Sequence, residues 1–516
     1  MKNLVRCILV HPLIFSIYPI LFLYAGNIDQ VDFIDVIPPG LISLVVFSLV
    51  FAISWLVFKK SEKSSFFTSA AIFLFYSYSA ICNAIQLSLI PYDVSRSSVD
   101  AWLPGIWLAA FFLLTVFVYF SEVNDKQIAF LNVIALSLIF MVGVDIARFH
   151  FFSNGWKASG IDTNNSARID AAGRPDIYFI ILDCYAREDV LKEKYNFDNQ
   201  SFLQKLREKN FKVVEKGFAN YNQTYMSLAS TLNFSYLDEV GKKYYDRNTA
   251  EPLVEMMHNN RLFKTLKGLG YKTVSFATGY TGTEMRKTDF YISQDKLNRE
   301  FINLVLNTTY LAAFKLSFFD LLQLQIDIHR NRINTIFSKT PEIATMVKEP
   351  FVAFVHIICP HPPFVFDENG AKVPYAGIFD FSDGDHWDNP VQNYRENYLK
   401  QLKYTNEVTL TMIDRLLNDG RKKVIVLQSD HGPGFGLKWA SPEESDIKER
   451  MANLQAFYFE DGDYSAFSQN HTPVNTFRII LNKFFGTDLE LLENKVYFSR
   501  WWGRYRFIDV SGQLLD

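Results

Sequence analysis

Through the first 150 residues, apolar blocks at 7–25, 39–58, 66–90, 102–120 and 128–147 alternate with short gaps that hold nearly all the charges. A helix of about twenty apolar residues matches the hydrocarbon thickness of a bilayer, so the pattern predicts five membrane spans over residues 1–148. Lys2 and Arg6 precede the first block, Lys59, Lys60 and Lys63 separate the second from the third, and Lys126 lies between the fourth and fifth; the alternate gaps hold only Arg96. Basic residues mark the cytoplasmic side, which predicts a cytoplasmic amino terminus and, after an odd number of crossings, an extracytoplasmic remainder. No small-residue cleavage site follows the first block, so it is expected to stay as an anchor.

Residues 149–175, with Ser153, Asn154, Gly155, Asn164, Asn165 and Pro175, have neither helical nor strand period and read as a tether. From Asp176 the pattern changes to short apolar runs alternating with amphipathic stretches: IYFIIL, YKTVSFAT, FVAFVHII, VIVLQ and LQAFYF are strand-like, and Phe202–Lys209 and Tyr394–Leu417 are helix-like. This rhythm predicts an α/β domain over 176–516, a doubly wound, mostly parallel sheet with helices on both faces. Between about 297 and 346 the chain is apolar and helical and richer in aromatics than a crossover needs. It is expected either to rest against the bilayer or the spans, or to cap the sheet.

The composition agrees with a membrane part. A chain of 516 residues exceeds one ordinary core, and 49% hydrophobic with 16% aromatic residues is rich for a purely soluble protein. A net charge of -3, without an interleaved basic and aromatic patch, gives no reason to expect nucleic acid as a partner. Four cysteines make no disulfide framework; Cys7 and Cys82 fall in spans, and Cys184 and Cys359, at strand ends, either meet at the site or, the blander reading, are two buried free thiols.

Chemistry enters where the apolar runs stop. Asp183 ends the first, and Asp430 with His431 ends VIVLQ far along the chain. A carboxylate and an Asp-His pair delivered to the carboxyl edge of one open sheet can gather a divalent cation. Such a site needs a nucleophile beside the metal, and ANYNQTYMSLASTLN, entering a helix, puts Thr224 near a first turn where an anion is favoured. A phosphate there would be attacked by Thr224; taken alone, a Thr at that position is an ordinary helix cap.

From Asp176 to about Asn482 the sequence resembles the alkaline phosphatase and sulfatase superfamily, above all its membrane-anchored branch of lipoteichoic acid synthases and phosphoethanolamine transferases. DIYFIILD is similar to that branch's first strand with its acidic ligand, NQTYMSLAS to its nucleophile loop and VIVLQSDHG to its late strand with the Asp-His pair. The resemblance implies that Asp183, Asp430, His431 and Thr224 bind one divalent ion, that Thr224 is the covalent nucleophile, and that His361 in HIICPHPPF holds substrate phosphate. Arg286, in the loop after YKTVSFAT, is a further candidate to clamp an anion or else a solvated surface residue. Manganese, zinc and magnesium all suit these ligands, the nitrogen donor leaning away from magnesium.

The sequence departs from the pattern at two points. Between Gly432 and Asn453 there is no further histidine, leaving His386 and His471 as spare candidates for a second metal, each of which reads as an ordinary loop residue. Neither Cys184 nor Cys359 sits in the C/S-x-P-x-R motif that sulfatases convert, which disfavours sulfate ester hydrolysis. His356, inside a strand, reads as a satisfied core residue. The expected activity is transfer of a phosphoethanolamine- or phosphoglycerol-like group from a lipid-linked donor to an envelope glycan or lipid acceptor through a phosphothreonine. The alternatives are a phosphodiesterase or sulfatase-type hydrolase and, from another class, a non-catalytic membrane scaffold that keeps the fold.

Overall fold

The computed structural model describes residues 10–28, 31, 33–89, 96–152, 173–294, 299–314, 321–375, 379–389 and 391–515; Lys2, Arg6, Cys7 and most of the tether at 149–175 lie outside the described residues. The chain divides into two compact units, 1–154 with 295–324, and 155–294 with 325–516.

The first unit is helical: Val10–Gly26, Phe33–Phe58, Ser61–Leu89, Arg96–Phe120 and Asp125–Phe152. Four of these helices are long and apolar enough to cross a membrane, and Val10–Gly26, also apolar, is shorter at 17 residues. Phe73, Phe112, Phe120 and Phe140 each stand at least 68% exposed. Aromatic surface on that scale is stable in lipid and not in water, so the chain is a membrane protein. Polar groups fasten the helices inside. The His11 backbone N–H donates to Asn132 Oδ1 at 2.9 Å, and its ring pairs with Ser65 Oγ at 2.9 Å and Ser69 Oγ at 2.5 Å. The Arg299–Thr308 helix belongs to this unit, burying Phe301 and Val305 with Ile20 and Tyr24. Tyr310 follows, its ring 5.2 Å from that of Tyr78 and its hydroxyl donating to Pro104 O at 2.9 Å.

The second unit is built on seven strands, β1 (Asp176–Leu182), β2 (Lys212–Val213), β3 (Lys272–Phe276), β4 (Phe290–Ile292), β5 (Phe351–Ile357), β6 (Lys423–Gln428) and β7 (Gln455–Phe459), in the order β2-β7-β6-β1-β5-β3-β4. Strand β7 pairs antiparallel with both β6 and β2, and every other pairing is parallel. Every residue of β1, β5 and β6 is buried, which is why these central strands read as mostly apolar runs and not as alternating ones. Asp176 opens β1 buried, and Arg421 meets it with Nε 2.6 Å from Oδ2 and Nη2 2.8 Å from Oδ1. A hairpin of β8 (Tyr497–Phe498) and β9 (Ile508–Asp509) completes the unit. With β1 between β5 and β6, the residues that follow these three strands share one carboxyl edge, the usual place for a ligand site in such a sheet.

Candidate active site

Asp183 leaves β1 with its N–H bonded to Ile357 O at 3.0 Å, so its side chain lies beside the end of β5. Across β1 from it, β6 ends in Ser429, Asp430 and His431, and Ser429 Oγ donates to His431 O at 2.6 Å. The Thr224–Asn233 helix is tied to this edge by Ser227 Oγ, which donates to Asp430 O at 2.7 Å. The result is a convergence on one nitrogen. His431 Nε2 lies 3.0 Å from Thr224 Oγ1, 3.1 Å from Asp430 Oδ2 and 3.9 Å from Asp183 Oδ1.

The tautomer of His431 follows from its surroundings: Nδ1 lies 3.0 Å from Gly432 O and can only donate there, which leaves the Nε2 lone pair facing the cluster. Burial and the nearby Arg450 charge push the imidazole pKa down, favouring this neutral form. Asp183 behaves oppositely. Burial raises its carboxyl, but His361, His356 and His431 outweigh that and hold it below the carboxylate range. His356, in β5, is satisfied as a core residue, with Nδ1 2.9 Å from Thr283 Oγ1; its other nitrogen stands 3.1 Å from Asp183 Oδ2 and orients that carboxylate.

Two oxygens are left over. Asp183 Oδ1 and Asp430 Oδ2 are buried and accept no hydrogen bond, although His431 Nε2 lies close to Asp430 Oδ2. Buried carboxylate oxygens without donors are costly, and a divalent cation would satisfy both. The ligand atoms of Asp183, His356 and Asp430 lie within 4.8 Å of one another, as do those of Asp183, Cys184 and His431. The donor set fits a divalent ion.

The remaining candidates fall in different places. His361 is 94% buried, its ring centroid 6.5 Å from that of His431 and its N–H bonded to Asp183 O at 3.1 Å, so it reaches the same edge. Arg286 is committed to Glu284 at 3.3 Å, with its guanidinium 5.2 Å over the Tyr291 ring. His386 packs between Trp439 and Trp501, and His471 is buried beside Thr476 Oγ1 at 2.9 Å, away from the cluster. Cys359 meets Thr405 Oγ1 at 3.1 Å, whereas Cys184, at φ +66, turns the chain into the site.

Beneath the cluster lies a group that sequence reasoning missed. Arg450, 2% exposed, puts Nη1 2.5 Å from Asp383 Oδ2 and 3.0 Å from Gly432 O, Nη2 3.2 Å from His431 Nε2, and Nε 2.9 Å from Asn222 O. The Cys184 thiol donates to the same Asp383 oxygen at 3.4 Å, and the Tyr394 hydroxyl to the other at 2.7 Å. Burial raises Asp383, but Arg450 overcomes it and brings the carboxyl down to about 2; burial and Asp383 push the Cys184 thiol well up, keeping it protonated. Glycines make this layer possible. A Cβ on Gly432 would fall 2.1 Å from Glu449 O, and one on Gly434 would fall 2.5 Å from the Asp383 carboxylate. In the sequence Asp383 and Arg450 are one Asp among several in DFSDGDHWD and one Arg beside Lys448 and Glu449, with no spacing that marks either.

The sequence model of the sulfatase family matches residues 175–480, a range that includes Asp183, Thr224, His356, His361, Asp383, Asp430, His431 and Arg450. The chain belongs to the sulfatase family. It is therefore an enzyme of the alkaline phosphatase and sulfatase type carried on membrane helices. Among solved structures, it is similar to the C-terminal periplasmic domain of EptC from Escherichia coli at 14% identity and TM-score 0.41, covering 66% of this chain and 95% of that one. The integral membrane lipooligosaccharide phosphoethanolamine transferase A of Neisseria meningitidis is similar at 11% identity and TM-score 0.40, covering 92% and 95%. A 2-O GAG sulfatase is similar at 12% identity and TM-score 0.39, covering 63% and 78%. No curated protein matches the chain in sequence.

Proposed function

We propose that this sulfatase-family enzyme transfers a phosphate-bearing group, phosphoethanolamine- or phosphoglycerol-like, from a lipid-linked donor to a glycan or lipid acceptor of the cell envelope. Its amino terminus is cytoplasmic and its catalytic unit extracytoplasmic. The observation that carries the reading is the approach of Thr224 Oγ1 to within 3.0 Å of His431 Nε2, where the donor-free oxygens of Asp183 and Asp430 also converge. Asp183, Asp430, His431 and Thr224 would hold the cation, and the nitrogen ligand favours manganese or zinc over magnesium. When bound, a divalent ion there supplies a Lewis acid for a phosphoryl oxygen and lowers the pKa of a neighbouring hydroxyl.

The chain's own groups do the rest. Thr224 Oγ1 attacks the donor phosphorus, the bond from phosphorus to the lipid oxygen breaks, and the threonine proton leaves on the lipid hydroxyl. The amino-terminal end of the Thr224–Asn233 helix favours the negative charge that develops. His356 keeps Asp183 oriented, and His361 holds a phosphoryl oxygen from the other side of the edge. An acceptor hydroxyl or amine then displaces Thr224 from phosphorus. The membrane helices support transfer over hydrolysis, because tethering the site beside the bilayer raises the local concentration of a lipid-borne donor. Family membership favours the hydrolase as the second reading, with water as the acceptor and a phosphodiester as the substrate. Intact mass of the full chain, incubated with manganese or zinc and a phospholipid extract, should show an adduct on Thr224 whose mass names the group. If Thr224→Ala gains the same adduct, the nucleophile is another residue.

A further inference from the structure

Arg504 stands out among the buried cations of the second unit. It is 93% buried in the connection between β8 and β9, where Asn248 Oδ1 accepts its backbone N–H at 3.2 Å and Ser499 Oγ donates to its carbonyl at 2.5 Å. Its guanidinium lies between two aromatic rings, 5.7 Å from the Tyr225 centroid and 5.6 Å from that of Trp501. Among the described residues the guanidinium makes no hydrogen bond and has no carboxylate within 4.0 Å, and Nε is fully buried without a partner. Arg450, buried more deeply still, has an acceptor for each of its nitrogens. A buried cation held by rings but left without an anion marks a place built for one that the chain does not supply.

Its position says which anion. Tyr225 follows Thr224 directly, and its ring stacks on that of Tyr280 at 4.9 Å. The Arg504 guanidinium over the Tyr225 ring is therefore one residue along the chain from the nucleophile candidate. Trp501, the other ring, is 37% exposed, so this side of the guanidinium is close to solvent. A planar guanidinium with unused donors binds a tetrahedral oxyanion in a two-pronged fashion, and flanking rings keep it oriented without cancelling its charge.

We propose that Arg504 is an anion subsite beside the nucleophile that takes a phosphate group. Its assignment to substrate recognition rests on the reading of Thr224 as nucleophile, while the binding itself does not. The phosphate is either that of the lipid-linked diester or free inorganic phosphate. The test uses the full chain in detergent, stripped of metal with a chelator, and titrates it calorimetrically with inorganic phosphate and with glycerophosphoethanolamine. At least one probe should bind; Arg504→Gln should weaken it roughly tenfold or more, and Arg286→Gln, whose cation is paired with Glu284, should leave it unchanged. Tighter binding of the diester marks the donor head group, and tighter binding of inorganic phosphate marks the free ion. Should Arg504→Gln fail to fold, Arg504→Lys, which keeps the charge but not the fork, should bind several-fold more weakly. The proposal is overturned if neither probe binds the stripped wild type, or if the substituted chain binds as tightly. Because no metal is present, a failure of the transfer reading would leave this result standing.

Discussion

Arg450 Nη1 and Asp383 Oδ2 meet at 2.5 Å in the interior beneath the site, each side chain 2% exposed. Removing only the cation strands a carboxylate that burial already penalises and that Arg450, the largest of several favourable neighbours, helps to bring down to about 2. Breaking a buried pair from one side costs about 3–5 kcal/mol, whereas removing both partners together is close to neutral. Arg450→Met should therefore lower the unfolding temperature in detergent sharply, and Arg450→Met combined with Asp383→Leu should recover most of the loss. If the double variant is as unstable as the single, the pair is not what holds this layer.

His356 Nε2 lies 3.1 Å from Asp183 Oδ2, which leaves Oδ1 turned towards His431. Groups that orient a metal ligand in this way typically govern affinity by roughly tenfold to a hundredfold. His356→Gln should weaken manganese or zinc binding by that factor in a competition titration with a chromophoric chelator. Unchanged affinity would mean that Asp183 holds its orientation without the histidine.

Metal itself should stabilise the fold, because Asp183 Oδ1 and Asp430 Oδ2 are buried without hydrogen bonds. At a free ion concentration of about a hundred times Kd, binding to the folded state alone contributes about 2.7 kcal/mol. Scanning fluorimetry should show the unfolding temperature rising with added ion in the wild type and staying flat in Asp430→Asn. A rise in both would locate the ion elsewhere.

Much of this architecture could be read from the chain because its physics is local. β1, β5 and β6 are buried on both faces, so their sequences are mostly apolar without alternation, and the polar residues after β1 and β6, Asp183 and the Ser429-Asp430-His431 turn, announce the sheet edge. Strand direction has no such signature: nothing in QAFYF distinguishes the antiparallel β7 from its parallel neighbours, and the three-residue β4 is too short and too exposed to show a pattern. Asp383 and Arg450 were invisible for another reason. One precedes a three-residue turn and the other lies in a five-residue helix, and only the fold brings the pair, 67 positions apart, beneath the metal ligands. The DFSDGDHW segment drew notice for His386, yet its working residue is Asp383. Arg286 looked free in the sequence because its partner Glu284, two residues away, approaches it only through a tight turn.

His471 offers a test of stability against pH that does not involve the metal ligands. It is fully buried against Phe457 and Phe467, with Nε2 2.9 Å from Thr476 Oγ1, and burial pushes its pKa from 6.5 down to about 3. Between those values the unfolded chain binds a proton that the folded chain excludes, so this group's contribution falls as pH drops below 6.5 and is level above it. Relative to about pH 7.5, the linkage amounts to roughly 2 kcal/mol by about pH 5. His471→Gln removes the titrating group, so wild type should lose that much more stability than the variant over the same interval in denaturant titrations. Parallel losses in the two proteins would show that His471 is protonated in the fold, or that water reaches it.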